Sequence, residues 1–331
     1  MALERAIELS GVRKVFANVV AVDNLSLEVQ AGSIYGFLGP NGAGKSTTIR
    51  MLTGILRASE GVIRVLDQDP GEVKRQLGYL PEEKGLYKKM RVKELIQYFG
   101  RLKGLESKVA EQKCEELLKK FELDKWADQK CESLSKGMGQ KVQIIATLIH
   151  DPELIVLDEP FSGLDPVSIE LVREIILELK RTGRTVVFST HMMEQAEQLC
   201  DSVLLINRGQ KVIDGFTNEV RAEAGDTLRL DYEGDGSILK SLPGVVRLND
   251  AGRHAELTLA PQAATQKLLA LLIEKITITR FDISSASLHE VFVRSIATDI
   301  ATQETNTRSK AETTYAPVSY THLTLPTICS V

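Results

Sequence analysis

No stretch of this chain is apolar for the roughly 18 to 20 residues that a membrane-crossing helix needs, so the sequence predicts no span. The start, Met1-Ala2-Leu3-Glu4-Arg5, carries an acid and has no apolar signal core, and reads as having no secretory leader. Cysteine is scarce and scattered. Cys114, Cys131, Cys200 and Cys329 have neither metal-ligand nor redox spacing, which fits idle thiols in a cytosolic protein. Basic charge is not in excess either: 41 Lys and Arg face 45 Asp and Glu, for a net charge of −4. No global basic field favours nucleic acid. Sustained heptads are missing, so a long coiled coil is excluded.

What remains is ordinary globular composition, 43% hydrophobic over 331 residues, with room for about two domains. Within it, Gly39-Pro40-Asn41-Gly42-Ala43-Gly44-Lys45-Ser46-Thr47 stands out. The apolar run Ile34-Tyr35-Gly36-Phe37-Leu38 precedes it, and the helix-like Thr48-Ile49-Arg50-Met51-Leu52 follows. Strand, glycine-rich loop and helix together predict a phosphate cradle. Glycines let successive backbone N–H groups turn toward one anion. The helix N-terminus adds its positive end. Lys45 supplies a charge able to reach β- and γ-phosphates, and the Ser46 hydroxyl is suited to ligate Mg²⁺.

The rest of the chain divides by pattern. Ile7 to Leu9, Leu25 to Val29 and Val62 to Leu66 alternate as a small antiparallel sheet would. From about 77 to 150 the pattern is mostly helical, with candidates at Arg91 to Phe99, Val109 to Phe121 and Gln140 to Ile149. Leu154 to Leu157 and Thr185 to Phe188 are continuous apolar runs, expected of strands buried on both faces. An amphipathic helix between them, with Leu171, Val172, Ile175, Ile176 and Leu179 on one stripe, makes a β-α-β unit. Val203 to Ile213 reads as a hairpin. After about Glu219, four strands and one helix predict a small α+β appendage. The fold class is therefore α/β with an α+β addition. The appendage holds no chemical motif, and regulation, dimerisation and contact with a membrane subunit are all open to it.

A phosphate loop alone suits kinases, GTPases and many ATPases. Leu154-Ile155-Val156-Leu157-Asp158-Glu159 narrows the choice: an apolar strand delivers two acids to the sheet edge where ligands bind. Asp158 is suited to Mg²⁺, directly or through water, and Glu159 to polarising an attacking water.

Six segments in this order resemble the nucleotide-binding domain of an ABC ATPase, over about residues 5 to 220. They are Phe16, the loop Gly39 to Thr47, Gly78 to Glu82, Leu134-Ser135-Lys136-Gly137-Met138, Asp158 to Asp165, and Ser189-Thr190-His191. The resemblance implies a mixed-sheet P-loop domain over residues 1–220, with an antiparallel β subdomain and a helical subdomain at about 77–150. A small α+β domain over 221–300 follows. It implies ATP and Mg²⁺ as cofactors and ATP hydrolysis as the reaction. Phe16 would stack on adenine, although a core phenylalanine is the other reading of that position. Ser135 and Gly137 would bind the γ-phosphate held by an opposite subunit, from a helix starting at Gly139 or Gln140. His191 would hold the water with Glu159. Glu82, where the family usually has Gln, would still reach the metal. Lys136 and Met138 also depart from the family's LSGGQ; Lys136 is read as pointing to solvent, with an added phosphate contact as the other reading.

The implied assembly is a head-to-tail homodimer, or a heterodimer with another ABC ATPase. It would lie on the cytoplasmic face of the cell membrane, docked near Glu82 to Val92 under a separate polytopic permease, with no nucleic-acid partner. The appendage and the signature resemble the Na⁺-extrusion subgroup of bacterial export systems. A soluble ATPase acting on ribosomes or DNA is the alternative; a small-molecule kinase would leave the signature and His191 unexplained. Residues 301–331 read as a disordered tail. Its end, 318–331, with Ser319-Tyr320-Thr321-His322-Leu323-Thr324-Leu325-Pro326-Thr327, resembles translated sequencing adapter.

Overall fold

A computed structural model describes residues 4–83, 85–260 and 263–295. The expectations for 301–331 lie outside the described residues. Of the described residues, those up to 291 form one compact unit, and 292–295, which are helical, fall outside it.

Three sheets organise the first unit. β1 (Arg5–Phe16), β2 (Val19–Gln30) and β4 (Glu60–Val65) form an antiparallel sheet ordered β2-β1-β4. The central sheet has six strands: β3 (Ile34–Leu38), β5 (Leu77–Leu80), β6 (Leu154–Asp158), β7 (Thr185–Thr190), β8 (Ser202–Asn207) and β9 (Gln210–Phe216), ordered β5-β6-β7-β3-β8-β9. All its pairings are parallel except the β8–β9 hairpin. β3, β6 and β7 are buried at every position, which explains their continuous apolar runs. A shared core joins the two sheets, with Leu9, Val22, Phe37, Ile49, Leu52 and Leu204 among its residues.

Helices fill the intervals. α1 (Lys45–Leu52) follows the phosphate loop. α2 (Val92–Leu102), α3 (Ser107–Lys120) and α4 (Lys136–Leu148) pack on one another as the helical region. α5 (Pro166–Arg181) makes the predicted β-α-β crossover, with Val172, Ile175 and Ile176 buried. Asp165 caps it by accepting the Ser168 N–H at 3.0 Å, with Pro166 at the first position. The short α6 (Met193–Leu199) and α7 (Thr217–Glu223) flank the hairpin.

The appendage is a four-stranded antiparallel sheet of β10 (Asp226–Glu233), β11 (Val245–Asp250), β12 (His254–Leu259) and β13 (Thr277–Ser285), ordered β11-β12-β10-β13. α8 (Thr265–Ile273) and a 3₁₀ turn at Gly236–Ser241 supply its helical layer. Leu228, Leu230, Leu239, Leu257, Leu268 and Leu272 form a core of its own.

Two local expectations are corrected. The sequence pattern places Leu77 to Leu80 at the start of the mostly helical stretch, but it is β5, a strand of the central sheet. A Cβ on its Gly78 would stand 2.7 Å from the Thr147 carbonyl oxygen, so α4 packs directly on strand backbone there. The signature helix starts at Lys136, not at Gly139 or Gln140. Ser135 is its N-cap and accepts the Met138 N–H at 3.2 Å.

Candidate functional site

The phosphate loop runs from the end of β3 into α1, and its backbone needs glycine. Gly39, Gly42 and Gly44 have φ of 150°, 78° and 111°. A Cβ at Gly39 would lie 2.2 Å from the Ile206 carbonyl oxygen, and one at Gly44 2.7 Å from that of Ala21. The loop therefore sits against fixed backbone. Its inner side bounds a cavity of about 340 Å³ lined by Ala21, Pro40 to Thr47, Glu82 and Glu159.

Lys45 is buried at this cavity and folds back over the loop. Its Nζ donates to the carbonyl oxygens of Gly39 at 2.6 Å and Pro40 at 3.1 Å. Burial pulls its pKa below the ordinary lysine value, while Glu159, Asp158 and Glu82 pull the other way. Three carboxylates around one ammonium leave the cradle short of positive charge, which suits a site that receives a bound cation with its anion.

The two acids at the end of β6 have different surroundings. Asp158 is 1% exposed. Its Oδ1 accepts the Ser189 hydroxyl, and the Ser46 hydroxyl at 3.4 Å. Its Oδ2 is buried without a partner. An orphan carboxylate oxygen beside a hydroxyl is a donor pair that fits a hard divalent cation. Two protein oxygens do not fill such a shell, so phosphate and water would supply the rest.

Glu159 adopts φ of 51°, a left-handed conformation that costs about 1–2 kcal/mol for a residue with a Cβ. Its N–H donates to the Ser189 hydroxyl at 3.0 Å. Its Oε2 lies 3.0 Å from His191 Nδ1. Glu159 is 8% exposed, whereas the His191 side chain is 58% exposed. The strained turn thus aims a mostly buried carboxylate into the cavity with an accessible imidazole on its flank.

Phe16 ends β1 at 44% exposure, so it is not a core residue. Its ring carries the Lys14 ammonium 5.0 Å from the centroid. Glu82 is exposed at the cavity rim. Ser135 and Gly137 are not among the cavity's lining. A Cβ on Gly137 would meet Leu164 at 3.7 Å and the Gly163 carbonyl at 3.8 Å, so the signature packs on the loop after Glu159. Lys136 does not simply point away: its Cε would stand 2.7 Å from a Cβ on Gly163, so its stem lies along that loop.

Sequence reasoning gave Ser189 no role of its own. The structure puts its hydroxyl between Asp158 Oδ1 and the Glu159 N–H, buried at 0% exposure. The available signal was a polar residue ending the apolar run of β7, level with Asp158 on the neighbouring strand.

The "ABC transporter" family model matches residues 22–162, and the model described as "ATP-binding protein DrrA1-3-like, C-terminal domain" matches residues 215–296. The uncharacterized ABC transporter ATP-binding protein YhaQ of Bacillus subtilis is 36% identical over 287 residues, covering 86% of this chain and 96% of that protein. Nod factor export ATP-binding protein I of Cupriavidus metallidurans is 37% identical over 218 residues, covering 65% of this chain and 72% of that protein. Among solved structures, an ATP-binding subunit of an ABC transporter superposes with a TM-score of 0.62 at 30% identity, covering 65% of this chain and 92% of that one.

Proposed function

The chain belongs to the ABC transporter ATP-binding proteins, and from that membership we propose that it powers export through a separate polytopic membrane permease. It is an ATPase, and the observation that carries the mechanism is the 3.0 Å contact of Glu159 with His191 at the mouth of the phosphate cavity. The name of the Nod factor export relative, together with the match of the appendage to a DrrA-like C-terminal domain, supports the export reading.

In the proposed reaction the glycine-loop N–H groups and Lys45 hold the β- and γ-phosphates. Phe16 offers an exposed ring for the adenine. Glu159 takes the proton of the attacking water as that water bonds to the γ-phosphorus and the bond from that phosphorus to the β,γ-bridging oxygen breaks, with ADP and phosphate as products. His191 holds the Glu159 carboxylate in line and would hydrogen-bond the γ-phosphate. Ser46 and Asp158 would hold Mg²⁺, with Glu82 at the rim; when bound there, the ion neutralises charge on the phosphates. Residues 1–220 act as the ATPase domain and 221–300 as an accessory domain.

A head-to-tail dimer completes the site, either with a second copy of this chain or with another ABC ATPase. Supporting this, Ser135 caps α4 and Gly137 lies in its first turn, where the helix N-terminus suits an anion, yet neither is among the residues lining the chain's own phosphate cavity. Permease docking is supported by a separate cavity of about 320 Å³ between β5, α2 and α4, lined by Leu80, Pro81, Leu86, Leu95 and Phe99. Gln143 Oε1 there is buried without a partner. Among the described residues no helix is long and apolar enough to cross a membrane, so the pore is assigned to another chain.

Glu159→Gln tests the reading. Turnover should fall about 10²- to 10⁴-fold while ATP still binds. Gel filtration with ATP should show a dimer; a monomer only would refute the composite site. Co-purification with a membrane protein encoded beside this chain tests the transport role, and its absence from every pull-down would count against it.

A further inference from the structure

Helix α6 begins two residues after His191, and its solvent side is held by the C-terminal part of the unit. Glu197 Oε1 pairs with the Arg221 guanidinium of α7 at 3.1 Å. Glu197 Oε2 accepts the Leu288 N–H at 3.1 Å. Arg221 in turn donates from Nε to the Ala286 carbonyl oxygen at 2.9 Å. The two charged side chains are only 26% and 23% exposed, so the pair is screened less than a surface bridge.

The residues that hold Glu197 are themselves fixed. Residues 288–291 are helical, and Ser287 and Glu290 cap that helix reciprocally, each N–H reaching the other's side chain at 3.2 Å. The Glu197 carboxylate thus meets the positive end of a pinned helix. Glu290 also accepts from Thr227 of β10 at 3.2 Å, which ties the cap to the appended sheet. At the other end of α6, Asp201 accepts the Ile34 N–H at 2.9 Å and the Thr217 N–H meets the Asp201 carbonyl oxygen at 2.9 Å. The foot of α6 is therefore pinned to the start of β3, the end away from the phosphate loop. Its head leads to His191, whose ring has one protein contact given above, with Glu159.

We propose that Glu197 is a positioning residue for ATP hydrolysis. Clamped by Arg221 and the Leu288 N–H, it sets the tilt of α6 and so the reach of His191 to Glu159. The appended domain then fixes the rate of hydrolysis rather than the affinity for ATP. The lever is adequate: seven helical residues span about 10 Å, and a tilt of about 10° about the foot moves the head by about 2 Å. Displacements of about 1 Å at a catalytic group can cost about a hundredfold in rate.

This inference rests on the reading that Glu159 and His191 carry hydrolysis, and the test separates the two. ATPase kinetics are measured on the full chain for Glu197→Ala, Arg221→Ala, His191→Ala and each of the first two combined with His191→Ala. Glu197→Ala and Arg221→Ala should each lower kcat about tenfold with KM for ATP within about twofold. Neither should lower kcat further in the His191→Ala background, because the lever then has nothing to position. Should Glu197→Ala fail to fold, Arg221→Ala approaches the same clamp from α7 and carries the cycle. Unchanged kcat in the clamp variants, or losses that multiply with that of His191→Ala, would overturn the proposal. Unchanged turnover in His191→Ala alone would instead overturn the reading of the site.

Discussion

Two glycines of one loop allow backbone strain and steric collision to be measured apart. Gly39 and Gly42 both have positive φ, at 150° and 78°. At Gly42 an added Cβ meets nothing within 4 Å. Gly42→Ala therefore carries only the conformational penalty of about 1–2 kcal/mol, less the roughly 0.4–1 kcal/mol gained by stiffening the unfolded chain. The net loss should be about 1.6 kcal/mol at most. At Gly39 the same methyl group would sit 2.2 Å from the Ile206 carbonyl oxygen of β8, and 3.2 Å from the Ala43 Cβ. Backbone of a central strand cannot rotate aside as a side chain can, so overpacking adds about 1–3 kcal/mol. Gly39→Ala should thus cost about 2–4 kcal/mol in all. The Gly39 carbonyl holds Lys45 at 2.6 Å, so a displaced Gly39 also misplaces the ammonium. Urea unfolding without nucleotide reads the stability difference, because bound ATP would mask it by mass action. Equal losses for the two variants would refute the steric account of this loop.

Three further outcomes are expected. Lys45→Ala should lower turnover or ATP binding by about a hundredfold, since it removes the one ammonium of the cradle; near-normal hydrolysis would refute the phosphate-loop assignment. Ser189→Ala leaves the Glu159 N–H unpaired in a buried site and takes from Asp158 Oδ1 the closer of its two hydroxyl donors, costing about 1–3 kcal/mol of stability by thermal melting and about tenfold in kcat. His150, whose Nε2 meets the Leu77 carbonyl oxygen at 3.1 Å, has its pKa pulled down to about 4 by burial and then by Lys103. The unfolded chain binds that proton more readily, so the stability contributed by neutral His150 is complete above about pH 6.5 and is lost as pH falls toward 4. The drop from 6.5 to about 4 sets the loss on the order of 3 kcal/mol, and His150→Gln should flatten the unfolding profile across that window.

The chemistry was more legible in the sequence than its geometry. Strand, glycine loop and helix at 34–52, and the acids ending an apolar strand at 154–159, carry their meaning in local order. Both appear where the pattern put them. β5 escaped because four residues with a central glycine, at a sheet edge, resemble a turn more than a strand. The start of α4 escaped because Gly137 and Gly139 interrupt the helical period, while the Ser135 cap that fixes it is a single contact. The left-handed Glu159 and the bridging Ser189 depend on β6 and β7 lying side by side, a pairing of segments distant in sequence. Phe16 admits a core reading beside the adenine-stacking one because its neighbours Val15 and Val19 are equally apolar; its position at the end of β1 leaves it exposed.

The order β5-β6-β7-β3-β8-β9 has a consequence for synthesis. The strand that carries the phosphate loop ends at Leu38, but both its neighbours begin only at Thr185 and Ser202. Until the ribosome has released residues beyond 190, β3 has two bare edges; until it has released those beyond 207, one edge stays bare and the loop has no wall at Ile206 to lean on. Long-range parallel pairing of this kind forms slowly. A truncated or nascent chain therefore holds the whole nucleotide motif without a nucleotide site, and no fragment ending before β8 can spend ATP idly. The same fragment presents an unpaired apolar strand, which makes premature termination within this gene an aggregation hazard rather than a source of stray ATPase.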